Sequence, residues 1–162
     1  MKKPMLRNWQ RGFTLIELVI VFSIFAIIGT VTLTTVRSIQ RRTLDNASRA
    51  LQADMRRAQR MALIEGTRWR VHFDQRYNRY SIRPLTHDPD RVYTVYLPSG
   101  VVFDFLPRVM VDYLPRGTLG GTGWGVGTGF TMDLRNGQYV QRLTVLPVTG
   151  RVEVFDVQRL LE

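Results

Sequence analysis

Cysteine is missing from all 162 residues. That excludes disulfides, thiolate metal sites and thiol nucleophiles, so any folded domain is held by packing and hydrogen bonds. Histidine is nearly missing too. His72 and His87 are the two, and neither has an i,i+4 partner or other ligand spacing. Ser23, Ser38, Ser48, Ser81 and Ser99 lack the strand-to-helix elbow that exposes a nucleophile. Asp88-Pro89-Asp90 reads as a solvated turn rather than a hard-cation site. These absences argue against an enzyme and against a resident cofactor or metal. Proline is absent between Pro4 and Pro84, so nothing interrupts a helix in that stretch.

Lysine is confined to Lys2 and Lys3, while arginine occurs 21 times, and the net charge is +10. Such a value suggests a polyanionic partner until it is divided along the chain. Residues 1–12 carry +4 from Lys2, Lys3, Arg7 and Arg11 with no acid. Residues 13–66 carry +3, and residues 67–162 another +3. A basic segment ahead of an apolar one is what the positive-inside rule expects of a cytoplasmic flank, so much of the excess is topology.

The apolar run Phe13–Val36 has 24 residues and one charge, Glu17. As a helix it reaches about 36 Å, enough for a hydrocarbon core of about 30 Å. A secretory signal would have a shorter apolar core and a small-x-small site behind it, and no such site follows. An ordinary signal anchor accounts for the hydropathy but not for Glu17, because a mid-membrane carboxylate costs about 2.5–3.5 kcal/mol. Cutting after Gly12 creates a counter-charge, the α-amine of Phe13.

The basic leader, Gly12-Phe13-Thr14-Leu15-Ile16 and Glu17 together resemble the class III signal of type IV prepilins and type II secretion pseudopilins. The resemblance implies cleavage at Gly12–Phe13 by a membrane-embedded prepilin peptidase and N-methylation of Phe13. It implies that Glu17 neutralises a neighbouring subunit's amino terminus during assembly. It also implies partners: other pilin or pseudopilin subunits, the peptidase and an inner-membrane assembly platform.

Beyond Val36, residues Leu44, Ala47, Leu51, Met55, Ala58 and Ala62 recur at spacings of three and four and form one apolar stripe. Arg42, Arg49, Arg56 and Arg60 fall away from it, and Asp45–Arg49 and Gln52–Arg56 read as i,i+4 pairs on the wet side. Gly66 sits where a C-terminal cap is expected. The expectation is a helix of about 50 residues, with a transmembrane half over 13–36 and an amphipathic half over 37–66. Gly29 is the one flexible residue in its membrane half.

From Thr67 the period changes to two, and residues 67–162 read as an extracytoplasmic β domain. Trp69, Val71 and Phe73 alternate with polar residues. Asp74–Asn78 is a turn, Tyr80-Ser81-Ile82 a return strand, and Thr86–Arg91 a loop. Val92–Leu97 and Val101–Phe105 flank Pro98-Ser99-Gly100, a hairpin signal. Val109–Tyr113 follows as a short strand. Phe130–Leu134 and Tyr139–Leu146 flank Asn136-Gly137, the strongest hairpin signal in the chain. Thr149-Gly150 leads to Val152–Phe155. Seven glycines lie between Gly117 and Gly129, which reads as a mobile loop. Trp124 at its centre either tucks onto the sheet or contacts a partner. The fold class is α+β: a long N-terminal helix packed on an antiparallel sheet of about seven or eight strands.

Within the pilin-like family, the stripe from Arg41 to Ala62 and the closing Val148-Thr149-Gly150-Arg151-Val152 resemble the GspH/FimT-type minor subunits. Some of those act in DNA uptake through a basic Gly-Arg-x-Arg element. Here Gly150-Arg151-Val152-Glu153 puts an acid in the second position, which repels phosphate. Trp69, Tyr80 and Tyr93 among arginines remain a candidate stacking surface for single-stranded bases. Arg151 and Trp124 are candidate partner contacts. The reading is a single-pass inner-membrane protein with a cytoplasmic N-terminus that enters a type IV pilus or a type II secretion pseudopilus. The alternatives are a DNA-binding minor pilin and an unrelated anchored domain. In cells with an active prepilin peptidase, mass spectrometry of the membrane-extracted protein should show a chain beginning at methylated Phe13. An intact Met1 would favour the unrelated anchor.

Overall fold

The computed structural model describes residues 14–86, 91–120 and 128–160, and of residues 29–37 the backbone alone. The chain divides into two units, Met1–Arg37 and Ser38–Glu162. A single helix, α1, covers Leu15–Glu65 and so enters both. Its backbone stays helical through Gly29.

In the first unit the helix is apolar all round. Leu15, Ile16, Phe22, Phe25 and Ile27 are each more than 60% exposed. Among the described residues of the unit this surface has no cover, and it calls for an apolar environment or other helices.

In the second unit, Leu44, Ala47, Leu51, Met55, Ala58 and Ala62 are all buried, none more than 4% exposed. The expected stripe is therefore the core-facing side of α1. Ser48 lies inside it, fully buried, a position the apolar spacing does not reveal. The helix stops at Glu65 because Gly66 takes φ +62, the left-handed conformation that ends helices and that a Cβ disfavours.

Ten strands follow among the described residues: β1 Trp69–Asp74, β2 Arg79–Pro84, β3 Tyr93–Tyr96, β4 Val101–Phe105, β5 Met110–Tyr113, β6 Leu119–Gly120, β7 Phe130–Asn136, β8 Tyr139–Val145, β9 Val152–Val154 and β10 Gln158–Arg159. They make two five-stranded sheets where one sheet was expected. The first has the order β3-β2-β1-β5-β6. The second has β10-β8-β7-β4, with β9 also paired to β8. Every pairing is antiparallel. Side chains from α1 and from both sheets join in one apolar core.

Strand existence was legible and strand pairing was not. β3 and β4 do not form the expected hairpin: β3 pairs with β2 and β4 with β7. The turn Pro98-Ser99-Gly100, with Gly100 at φ +86, carries the chain from one sheet to the other. The β7–β8 hairpin is present, but its two-residue loop is Gly137-Gln138, since Asn136 pairs with Tyr139. Gly137 at φ +59 occupies the first central position, as a type II′ turn demands. The glycine-rich stretch is not loop throughout. Leu119 is buried in the core, and Leu119–Gly120 is a strand on β5. The short β10 was not anticipated.

Two substitutions on α1 separate packing from polarity. Leu51→Ala, at a fully buried site, should lower unfolding free energy by about 2–5 kcal/mol. The Ser48 hydroxyl is buried with no hydrogen-bond partner, so Ser48→Ala should raise stability by about 1 kcal/mol. Urea unfolding of the detergent-solubilised chain measures both.

Candidate functional site

The start of α1 is built by a threonine. Thr14 is the cap: its Oγ1 accepts the Glu17 backbone N–H at 3.3 Å, and its carbonyl accepts from Glu17 and Leu18 at 3.1 and 3.3 Å. Thr14-Leu15-Ile16-Glu17 has the spacing of a capping box, which places the acid in the first turn. Glu17 therefore sits where the helix dipole favours negative charge. The Thr14 cap was not read from the sequence, although the Thr-x-x-Glu spacing carries it. Glu17 is exposed, as are the apolar side chains around it. Ser23, the next polar residue, satisfies its hydroxyl by donating to the Val19 carbonyl at 2.8 Å.

Lys2, Lys3, Arg7, Arg11, Gly12 and Phe13 lie outside the described residues, as do Trp124, His87 and the Asp88-Pro89-Asp90 turn. Of the expected span 13–36, side chains are described only for residues 14–28. Among the described residues no helix is long and apolar enough to cross a membrane.

In the second unit, amides and carboxylates tie α1 to the sheets. Asn136 Nδ2 donates to the Gln40 carbonyl at 3.1 Å, and Gln141 Nε2 donates to Asp45 at 3.0 Å. Gln52 Nε2 reaches the Val152 carbonyl at 2.7 Å rather than pairing with Arg56 as expected. Gln59 Nε2 reaches the carbonyls of both Gly117 and Thr149 at 2.6 Å. The Tyr80 hydroxyl donates to Asp54 at 2.6 Å, and burial followed by this carboxylate drives its pKa upward. Gln52 and Gln59, seven residues apart on one helix face, were the available signal for these ties.

The same interactions place the closing segment. Gly150, at φ +64, sits against Tyr113, whose hydroxyl donates to the Gly150 carbonyl at 3.3 Å. Its Cβ-less backbone is required there, because a Cβ would come within 2.9 Å of the Tyr113 ring. Val152 is buried, and Arg151 is exposed. Arg151, Arg56 and Glu153 line a shallow groove of about 300 Å³.

The candidate base-stacking surface does not form from Trp69 and Tyr80. Trp69 and Tyr80 are 6% and 1% exposed, because both alternate onto the inner face of their strands. Of the three aromatics, Tyr93 alone is open. Among the described residues, no three acidic or histidine side chains gather as metal ligands would.

Residues 10–33, which contain Gly12, Phe13 and Glu17, match the family described as the prokaryotic N-terminal methylation motif. The chain is similar in structure to the minor pseudopilin EpsH from the type 2 secretion system of Vibrio cholerae. The two share 16% identity and a TM-score of 0.54, over 70% of this chain and 96% of that one. It is similar also to the type IV minor pilin FimU of Pseudomonas aeruginosa PAO1, with 16% identity and a TM-score of 0.57 over 71% and 90%. The fold is that of the minor pilins and pseudopilins. No curated protein gives a significant match. The resemblance read from Gly12, Phe13 and Glu17 thus meets an N-terminal motif and a fold that agree with each other.

Two ion pairs of α1 make the fold sensitive to acid. The Arg49 hydrogen bond holds the Asp45 carboxyl below the usual carboxylate range, and Arg91 does the same for Glu65. A carboxylate with a depressed folded-state pKa stabilises the fold above the ordinary range, and that contribution disappears as pH falls through the depressed value. Unfolding midpoints measured from neutral pH downward should therefore fall at acid pH. Arg91→Ala should make that decline shallower.

Proposed function

We propose that this chain is a minor subunit of a type IV filament system, either a type II secretion pseudopilus or a type IV pilus. The observation that carries the reading is the coincidence of an N-terminal methylation motif over residues 10–33 with a minor-pilin fold behind it. Lys2, Lys3, Arg7 and Arg11 hold the leader in the cytoplasm, and the apolar run from Phe13 to Val36 anchors the precursor in the inner membrane. A prepilin peptidase cuts between Gly12 and Phe13 and methylates the new amine. An assembly platform then lifts the subunit, and the exposed apolar helices of neighbouring subunits cover one another.

Glu17 has two tasks in this mechanism. Its place in the first turn of α1, beside the Thr14 cap, stabilises the helix start. Its carboxylate, near an otherwise apolar surface, meets the methylated ammonium of the neighbouring Phe13 as the bundle closes. An unpaired carboxylate in that setting is costly, so the pair forms only where the stagger between subunits is right. The β domain, tied to α1 by Gln52, Gln59, Asp54 and Gln141, travels with the helix.

Glu17→Ala should still insert and lose its leader, yet enter filaments far less than the native chain. Immunoblotting of sheared filaments alongside mass spectrometry of the membrane pool reads both steps. Normal incorporation of the variant would overturn the pairing role.

A further inference from the structure

Among the described residues the two sheets present five edge strands, and four of them are unsuited to pairing: β9 has three residues and carries Glu153. β6 and β10 have two residues each. β4 has a register shift between Phe103 and Phe105 and carries Asp104, paired with Arg135 at 2.9 Å. Short strands, bulges and charges are the devices that keep sheet edges from joining other chains. β3 has none of them. Val92-Tyr93-Thr94-Val95-Tyr96-Leu97 is uncharged, rich in β-branched and aromatic residues, and regular in register against β2.

The hydrogen-bond phase of β3 identifies the free groups. Leu97 N–H donates to the Asn78 carbonyl at 2.8 Å. Bonded and non-bonded pairs alternate across an antiparallel ladder, so Val95 and Tyr93 also bond toward β2. The N–H and C=O groups of Thr94 and Tyr96 then point away from the sheet. Among the described residues β3 pairs with β2 alone. Tyr93 and Tyr96 flank this edge on opposite faces, 50% and 65% exposed.

Charge around the edge selects the kind of strand that fits. Arg57 lies over the Tyr93 ring at 5.4 Å, and Arg79 over Tyr96 at 6.0 Å. Arg83 and Arg76 are also exposed. The nearby described acids are engaged: Asp74 by Arg79, Glu65 by Arg91 and Asp54 by the Tyr80 hydroxyl. Edge-to-edge pairing with a second copy would set these arginines beside their equivalents. An acidic strand would meet them with complementary charge.

We propose that the outer edge of β3 takes up an extended strand from a different subunit, one that carries Asp or Glu beside its apolar residues. Thr94 and Tyr96 supply the backbone ladder, Tyr93 and Tyr96 cover the added side chains, and Arg57 and Arg83 meet the carboxylates. The identity of the partner as a filament subunit rests on the function proposed above. The chemistry of the edge does not.

The test uses the full chain in detergent and two synthetic peptides, one alternating Val with Glu and one alternating Val with Lys. Amide hydrogen exchange should slow by about tenfold or more at Thr94 and Tyr96 with the Val–Glu peptide, and stay unchanged at the already bonded Val95. The Val–Lys peptide should give no protection. Thr94→Pro removes an outward donor and no bond to β2, so it should abolish the effect without moving the thermal midpoint. Methylating alternate amides of the Val–Glu peptide should do the same with the protein untouched. Absence of protection, equal protection by both peptides, or self-association through β3 would overturn the proposal. Cleavage at Gly12–Phe13 should be intact in Thr94→Pro. A failure of cleavage in the native chain would count against the filament reading and leave the exchange result standing.

Discussion

Two sheets that share no strand are joined by the packing of one helical stripe, Leu44 to Ala62, into a common core. Three of the stripe's six members are alanine. Small side chains let strands from both sheets approach the helix backbone, while Leu44, Leu51 and Met55 fill the space between. The core is thus built around α1 rather than beside it. A chain without cysteine has no disulfides, so packing and hydrogen bonds hold the distal domain together.

Polar ties then fix how each sheet meets the helix. Bonds from Gln40, Asp45 and Gln52 reach β7, β8 and β9 of the second sheet. Bonds from Asp54 and Gln59 reach β2 and the β5–β6 connection of the first sheet, and Gln59 also holds the turn before β9. Within the sheets, charge-assisted pairs lie directly across the ladder. Arg70 grips Asp112 through two bonds of 2.7 and 2.9 Å, and Arg142 grips Asp133 through two of 3.0 Å. Both pairs are register partners, so they specify alignment as well as adding stability. Such pairs and ties hold the surface geometry of the domain fixed.

The first unit works on the opposite principle. Its helix is capped by Thr14 and carries a carboxylate in its first turn, but leaves its apolar residues open. Among the described residues of that unit nothing covers this surface. The requirement passes to a bilayer or to other copies of the same kind of helix, which is the physical content of the filament reading.

The sequence by itself determined every feature that depends on local periodicity or on a single residue's backbone freedom. The stripe from Leu44 to Ala62 follows from 3.6-residue spacing, the inward Trp69, Val71 and Phe73 from alternation, and the helix end from Gly66. The motif that contains Gly12, Phe13 and Glu17 is likewise local, because it is one linear segment, residues 10–33. Tertiary structure decided what distant segments do to one another. That β3 joins β2 while β4 crosses to β7, that Leu119 leaves its glycine-rich stretch for the core, and that Gln52 bonds Val152 instead of Arg56 all depend on contacts between residues far apart in the chain. Period-two patterns say which face of a strand is buried but not which strand lies beside it.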